Sequence, residues 1–296
     1  MSDTQDGGWT SRHVIVDGYA VHVRCFDHPE RHTDLDHRIY LLLHGATASA
    51  AFWKPWAERI AVAGASVWAV DFRGHGQSSG HEDIGAFSVG HYRDDALAVL
   101  KELVGQTGRR PIVVGHSMGG LIAQLVADEL SDEVHKLILI GSAPPHGIFM
   151  KFWDNRWRVF RFLKPKYIIN FLLNRPLKMS VEEMKQFALD KGVVHDMDGL
   201  IACTSPESGR ALTDIALGRY GVHGNYKGPV LSVIGTNDDV VHADVQHQIA
   251  KKYGAHKIVY EGGHLPQYER HSEKLFNQIR HWVVNHEVVT YDDEAQ

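Results

Sequence analysis

A serine flanked by glycines is the residue of this chain best suited to do chemistry. Gly115-His116-Ser117-Met118-Gly119 follows an apolar run typical of a short buried strand and precedes an apolar segment typical of a helix. A strand, a G-x-S-x-G turn and a helix in this order form a nucleophile elbow, which lifts the serine hydroxyl above the sheet. The pattern predicts that Ser117 is a nucleophile. The plainer alternative is a glycine-rich turn with a capping serine.

A serine hydroxyl needs a general base, and the base needs an acid that orients it. Candidates follow Ser117 in the order Asp and then His, as expected for this kind of site. His264 follows a Gly-Gly turn after the predicted strand 256–260, so we interpret it as the base on a loop at a strand end. Asp238 and Asp239 follow another predicted strand. We favour Asp238 as the acid, because adjacent residues in a turn point in different directions.

The oxyanion of an acyl-transfer reaction needs two preorganised backbone N–H donors. Met118 directly follows the predicted nucleophile and is expected to supply one of them. The second is expected from the loop His44-Gly45-Ala46-Thr47, which follows the predicted strand 39–43, and we assign it to the Ala46 N–H. We interpret His44 as a packing residue that braces this loop, rather than as a second base.

Taken together, these motifs resemble those of the α/β-hydrolase family. The matching segments are His44-Gly45, Asp71-Phe72-Arg73-Gly74-His75-Gly76-Gln77-Ser78, Gly115 to Gly120, Gly235-Thr236-Asn237-Asp238 and Gly262-Gly263-His264. A weaker resemblance, in Gly76 to Gly80 and Tyr92 to Asp95, is to lysophospholipases and monoacylglycerol lipases. The family resemblance implies an α/β-hydrolase fold, with a mostly parallel central sheet flanked by helices and a helical cap insertion. It implies a structural role for the Arg73 to Ser78 loop.

The predicted elements agree with that fold. Strands are expected at 14–16, 20–25, 39–43, 66–70, 111–115, 135–140, 229–234 and 256–260, and helices at 51–63, 91–104, 118–130, 243–253 and 269–286. Strands that alternate with helices predict a mostly parallel sheet covered on both faces. We assign residues 1–143 and 225–296 to the α/β core. Residues 144–224, where the alternation stops, are assigned to the helical cap.

The predicted cap contains an unusual aromatic and basic stretch. Between residues 151 and 175, Trp153, Trp157 and Phe160 recur at helical spacing among many basic residues. The aromatic side chains either bury the cap on the core or line an apolar pocket for an acyl or aryl group. A third interpretation is weak contact of this basic surface with anionic membranes. These three aromatic residues are the candidate substrate-binding side chains. Further on, Ser180 and Glu183 predict a capped helix.

Composition sets broader limits on the class of protein. The 296 residues allow one large α/β domain, and the 44% hydrophobic and 23% charged contents are ordinary for a globular protein. A net charge of −5 gives no reason to expect nucleic acid as a partner. Two distant cysteines, Cys25 and Cys203, and the lack of a signal-peptide pattern favour a cytoplasmic location, and no apolar run is long enough to span a bilayer. The 21 histidines lack metal-ligand spacing, so no metal is expected.

The sequence therefore predicts a serine hydrolase that cleaves a carboxylic ester through an acyl-enzyme, without a cofactor. The expected substrate is a small molecule with an apolar acyl or aryl group, such as a lipid monoester or a lactone. A thioester hydrolase or a carbon–carbon bond hydrolase with the same triad is an alternative, although His116 and the loop at His44 depart from the pattern of the carbon–carbon enzymes. A cofactor-free dioxygenase and a non-catalytic ligand receptor on the same fold are further alternatives. No oligomeric state is favoured.

Overall fold

Eight strands form one sheet in the computed structural model, which describes residues 9–26, 38–148, 170, 173, 175–190, 192–193 and 196–286. The strands are β1 (Trp9–Val16), β2 (Tyr19–Phe26), β3 (Ile39–Leu43), β4 (Ser66–Val70), β5 (Ile112–His116), β6 (Lys136–Ile140), β7 (Val230–Gly235) and β8 (His256–Tyr260). Their spatial order is β1-β2-β4-β3-β5-β6-β7-β8. β2 is antiparallel to both β1 and β4, and all other neighbouring strands are parallel. The prediction of a mostly parallel sheet is confirmed.

Helices cover this sheet and fill part of the segment between β6 and β7. They are α1 (Lys54–Val62), α2 (Val89–Thr107), α3 (Met118–Glu129), α4 (Val181–Asp190), α5 (Met197–Ala202), α6 (Gly209–Ala216), α7 (Ala243–Tyr253) and α8 (Ser272–Asn285). Helices α4 to α6 belong to the segment for which a cap is expected. The candidate substrate-binding residues Trp153, Trp157 and Phe160 lie outside the described residues.

The sheet separates two apolar layers, because successive side chains of a strand point to opposite faces. On β3, Leu41 and Leu43 pack in the layer that contains α2, α3 and α7, whereas Tyr40 and Leu42 pack in the layer that contains α1 and α8. All five residues of β3 are buried, as expected for a parallel strand covered on both faces. In sheets of this kind ligands bind outside the carboxyl ends of the strands, and the candidate residues Ser117, Asp238 and His264 follow those ends of β5, β7 and β8.

Several helices differ from the predicted bounds, and a capping hydrogen bond explains the start of one of them. Helix α2 begins at Val89 rather than residue 91, because the Ser88 hydroxyl accepts a hydrogen bond from the His91 N–H. The predicted helix 51–63 is a 3-10 turn over Ala50–Trp53 followed by α1. The predicted capping box is confirmed, since Ser180 and Glu183 exchange hydrogen bonds between side chain and backbone at the start of α4.

The described residues contain no helix that is long and apolar enough to cross a membrane. The same residues contain no group of three His, Cys, Asp or Glu side chains arranged to hold a metal ion. Cys25 and Cys203 are both buried thiols. Burial raises the pKa of the Cys203 thiol to about 12, so this side chain stays protonated and unreactive at neutral pH.

Candidate active site

Ser117 lies in a strained turn between β5 and α3. Its backbone adopts φ 54° and ψ −119°, a conformation that is costly for a residue with a side chain. Surrounding backbone hydrogen bonds hold the turn: the Ser117 N–H donates to the Ile140 carbonyl (3.0 Å), and the Ser117 carbonyl accepts from the Ala143 N–H (2.9 Å). The turn is thus fixed by the loop that follows the neighbouring strand β6.

A steric constraint explains why the positions two before and two after Ser117 are glycines, Gly115 and Gly119. A Cβ atom on Gly119 would overlap the carbonyl oxygens of Leu43 and His44 at the end of β3. A Cβ atom on Gly115 would overlap the carbonyl group of Gly119 itself. Any side chain at either position would therefore push α3 away from the sheet and move the serine.

His264 and Asp238 are in direct contact at the ends of β8 and β7. The distance from His264 Nδ1 to Asp238 Oδ2 is 2.8 Å, and both side chains are buried. Of the two adjacent carboxylates considered from the sequence, Asp238 is the one that meets His264, and Asp239 is half-buried. The structure therefore brings together the two residues interpreted as base and acid.

The Asp238 carboxylate has further donors that fix its orientation. Its Oδ1 accepts from the Val240 and Val241 N–H groups, each at 2.9 Å, and its Oδ2 also accepts from the Gln246 side chain at 3.0 Å. Burial alone would raise the pKa of Asp238, but His264 and the two backbone donors outweigh burial and lower it. The carboxylate is ionised at neutral pH and can stabilise a positive charge on His264.

His116, the residue before Ser117, connects the elbow to the His264 loop. Its Nε2 lies 2.7 Å from the His264 carbonyl oxygen, and the two imidazole rings pack at a centroid distance of 4.8 Å. Burial lowers the pKa of His116 to about 3, so the ring is neutral and its Nε2–H donates to that carbonyl. A Cβ atom on Gly141, after β6, would lie 3.2 Å from both His264 Nδ1 and Asp238 Oδ2, and its φ of 51° also favours glycine, so this residue packs closely against the pair.

The loop expected to supply the second oxyanion donor runs directly beside the elbow. A Cβ atom on Gly45 would lie 3.1 Å from the Ser117 Cβ, so Gly45, the residue before Ala46, lies beside the nucleophile. Met118 is the first residue of α3, where N–H groups have no intrahelical acceptor and the helix dipole favours negative charge. His44 braces the loop: its Nδ1 donates to the Gly45 carbonyl, and burial lowers its pKa to about 4, which keeps it neutral.

Glu207, which carries no motif signal in the sequence, lies fully buried beside this loop. Its Oε2 accepts from the Thr47 N–H (3.0 Å) and lies 3.2 Å from His75 Nε2. Its Oε1 accepts from the Tyr92 hydroxyl (3.1 Å) and the Ser208 N–H (2.7 Å). Burial alone would lower the pKa of His75 and raise that of Glu207, but their mutual attraction reverses both shifts. The two therefore form a buried ion pair.

Elsewhere in the described residues, the side chains of Ser11, His22 and Asp71 are in contact in that order. Ser11 Oγ lies 3.1 Å from His22 Nε2, and His22 Nδ1 lies 2.7 Å from Asp71 Oδ2. Ser11 is exposed on the extended strand β1, whereas Ser117 occupies a strained turn at a helix N-terminus. We therefore regard Ser117 as the candidate nucleophile. Any labelling experiment must nevertheless distinguish the two serines.

Comparison with known proteins places this site in a family. A model described as the alpha/beta hydrolase family matches residues 40–278, so the chain belongs to that family. It is 26% identical over 236 residues to "Protein ABHD8" of Homo sapiens, covering 78% of this chain and 52% of that protein. It is 29% identical over 160 residues to "AB hydrolase superfamily protein YfhM" of Bacillus subtilis (strain 168), covering 53% of each. The chain spans about half the length of these relatives.

Solved structures show the same fold at low sequence identity. The esterase EaEST from Exiguobacterium antarcticum superposes with a TM-score of 0.66 at 20% identity, covering 94% of this chain and all (100%) of that one. The fold resemblance therefore extends well beyond the matched motifs. Together with the family match, it confirms the α/β-hydrolase fold expected from the sequence.

Proposed function

We propose that this protein is a serine hydrolase that cleaves a carboxylic ester of a small molecule through an acyl-enzyme. The observation that carries the proposal is the buried hydrogen bond between His264 and Asp238, on a loop whose His264 carbonyl also accepts from His116, the residue before the strained Ser117. A serine, an oriented imidazole and an ionised carboxylate are what nucleophilic acyl transfer requires. Membership of the alpha/beta hydrolase family supports hydrolysis as the reaction class.

In the proposed reaction, His264 takes the proton of the Ser117 hydroxyl as the oxygen attacks the ester carbonyl. The carbonyl oxygen becomes an oxyanion, which the N–H groups of Ala46 and Met118 stabilise. Asp238 holds the tautomer of His264 in which Nδ1 carries a proton, and it stabilises the imidazolium that forms. Collapse of the tetrahedral intermediate expels the alcohol, which His264 protonates. Water then hydrolyses the acyl-enzyme by the same steps.

We propose that residues 144–224 form a cap that covers the substrate-binding part of the site. Support comes from the described part of this segment, where Glu207 contacts the loop beside the nucleophile. We propose that apolar side chains of the segment, with Trp153, Trp157 and Phe160 as candidates, receive an acyl or aryl group. Weak contact of its basic residues with anionic lipid stays a separate prediction. The two buried thiols are compatible with the proposed cytoplasmic location.

Hydrolysis of p-nitrophenyl esters from acetate to palmitate, measured beside Ser117→Ala, tests the reaction class. We expect serine-dependent turnover whose chain-length optimum reports the depth of the pocket. A folded Ser117→Ala variant that retains turnover would refute the assignment. Thioesters and carbon–carbon substrates belong in the same panel, because the same triad can cleave them.

A fluorophosphonate probe tests the nucleophile independently of the substrate. Peptide mapping is expected to find the label on Ser117, and Ser11→Ala, which removes the serine hydroxyl beside His22, is expected to label like the wild type. Label on Ser11 alone would contradict the proposal. Absence of both label and turnover would favour a ligand receptor or a cofactor-free dioxygenase.

A further inference from the structure

Thr47 has a backbone conformation that its own side chain disfavours. Its φ is 59°, in the left-handed region that β-branched residues rarely adopt. It directly follows Ala46, the proposed oxyanion donor. Such a conformation persists only where the surroundings determine it, and such positions are concentrated at functional sites. The groups that hold Thr47 are therefore candidates for holding the oxyanion loop, residues 44–47.

Both backbone groups of Thr47 are bonded to one short segment of the insertion between β6 and β7. The Thr47 N–H donates to Glu207 Oε2 at 3.0 Å, and the Thr47 carbonyl accepts from the Ser205 N–H at 2.9 Å. The Ser205 hydroxyl also accepts from the Gly76 N–H at 3.1 Å. The insertion thus holds the oxyanion loop through hydrogen bonds to both backbone groups of Thr47.

Glu207 is itself held rigidly. Its backbone exchanges two hydrogen bonds with Leu177, at 2.7 and 2.8 Å. Its fully buried carboxylate faces donors from Tyr92 on α2 and from His75 in the loop after β4. A carboxylate fixed by several elements can impose a geometry on Thr47 that a solvated side chain could not.

We propose that Glu207 is a positioning residue, which holds the oxyanion loop in its left-handed turn and so aims the Ala46 N–H at the oxyanion. The proposal rests on the proposed function. Its charge need not oppose the oxyanion, because His75 pairs with the same carboxylate oxygen. An Ala46 N–H that points away from the oxyanion stabilises the transition state less, but it leaves ester binding intact, since the oxyanion forms only during the reaction.

Glu207→Gln is the sharpest test, because it preserves size and removes one acceptor. The amide group can accept on one side only, so one backbone N–H, of Thr47 or of Ser208, loses its acceptor. In either orientation the charge that pairs with His75 is also removed, and both losses loosen the support of the Thr47 turn. We expect kcat for a short p-nitrophenyl ester to fall by about 10- to 100-fold with KM within about 3-fold, less than the loss of a whole oxyanion donor. The inhibition constant of an alkylboronic acid, which forms a tetrahedral adduct, should rise with the loss in kcat.

Asp214→Asn is the matched control. Asp214 is a buried carboxylate of the same insertion, and it accepts from the Val89 N–H and from Arg219, away from the oxyanion loop. Its substitution is expected to lower the melting temperature but to keep kcat within about 3-fold. Equal losses of kcat in the two variants would overturn the proposal in favour of a general effect of the insertion.

A milder variant keeps the proposal testable if Glu207→Gln does not fold. Tyr92→Phe removes only the hydroxyl that donates to Oε1, and a loss in kcat of about 3- to 10-fold at unchanged KM is expected. Wild-type kcat in a folded Glu207→Gln variant, with Ser117 active in the parent protein, would overturn this inference alone. A parent protein without label or turnover at Ser117 would overturn both this inference and the proposed function.

Discussion

Replacing Asp238 by Asn is expected to separate catalysis from stability. The carboxylate accepts four hydrogen bonds: two at Oδ1 from backbone N–H groups, and two at Oδ2 from Gln246 and His264. An asparagine can accept on one side only, so its NH2 must face one of these two pairs of donors.

The lower-energy choice can be worked out from the contacts. If the NH2 of the substituted side chain faced the backbone, it would leave two N–H groups without an acceptor, and a main-chain turn cannot rearrange to supply one. If it faces Gln246 and His264, only the Gln246 hydrogen bond is lost, at a cost of about 1–3 kcal/mol. Gln246 cannot turn its amide without losing its bond to the Val241 carbonyl. His264 can adapt, because it can move its proton to Nε2 and accept at Nδ1.

That adaptation removes the general base. With the proton on Nε2, the imidazole presents a donor where it must accept the serine proton. We expect kcat to fall by about 10⁴-fold, as found when the orienting acid of such triads is replaced by its amide. This corresponds to about 5 kcal/mol in the activation free energy at 1.36 kcal/mol per factor of ten, which exceeds the expected loss of stability.

The assay compares kcat on a p-nitrophenyl ester with the free energy of unfolding from urea denaturation. Gln246→Met is the matched control, because it removes one donor from the same carboxylate and leaves the tautomer of His264 unchanged. It should lose less than about 10-fold in kcat at a similar cost in stability. A folded Asp238→Asn variant that keeps more than about a tenth of the wild-type kcat would refute the orienting role of Asp238.

Three further predictions concern stability. Gly119→Ala should lower the free energy of unfolding, measured by urea denaturation, by about 3–5 kcal/mol, because its Cβ would overlap two carbonyl oxygens at the end of β3. Gly105→Ala is the control: this position is exposed on α2 with open space at its Cβ, so the free energy of unfolding should rise by about 0.5 kcal/mol. Equal effects of the two substitutions would contradict the steric argument. Asp95→Ala should lower the free energy of unfolding by about 3–5 kcal/mol in the same assay, because it leaves the buried Arg73 guanidinium without its main partner. A loss below about 1 kcal/mol would contradict a stabilising role for this ion pair. Acidification should destabilise the fold between pH 6.5 and about 3, because burial lowers the pKa of His116 to about 3 and that of His44 to about 4. The unfolded chain therefore takes up these protons at a higher pH than the folded chain does. Thermal melts of His116→Phe should show a shallower pH dependence over this range, and an unchanged dependence would contradict the prediction.

The sequence predicted the sheet well, because its strands are short local segments. The roles of the candidate site residues stay predictions. Strands β3 to β7 are buried along almost their whole length, and each proposed catalytic residue lies within four residues after a strand of the parallel sheet. Ser117, Asp238 and His264 thus reach one edge of the sheet by topology alone. The choice of Asp238 over Asp239 stays a prediction about catalysis, although the contact with His264 supports it.

Helix bounds were less predictable, because they depend on single hydrogen bonds. The last helix begins at Ser272 rather than residue 269, since the Glu269 backbone forms an isolated antiparallel bridge with Val193. The Glu269 carboxylate accepts from the Gly263 and Leu265 N–H groups on either side of His264. Hydrophobic periodicity does not report such a contact. Glu269 therefore belongs to the support of the His264 loop.

Glu207 shows the kind of residue that sequence reasoning misses. It has as many hydrogen-bond donors around its carboxylate as Asp238, but its contacts with Thr47, His75 and Tyr92 span 160, 132 and 115 residues of sequence. No local pattern encodes contacts over such distances, and the segment around it lacks the strand-turn context that identifies Asp238. In the proposed function this segment also covers the bound substrate. Substitution of Glu207 should therefore change kcat, whereas substitution of the side chains that receive the acyl or aryl group should change KM, so that one insertion affects both rate and specificity.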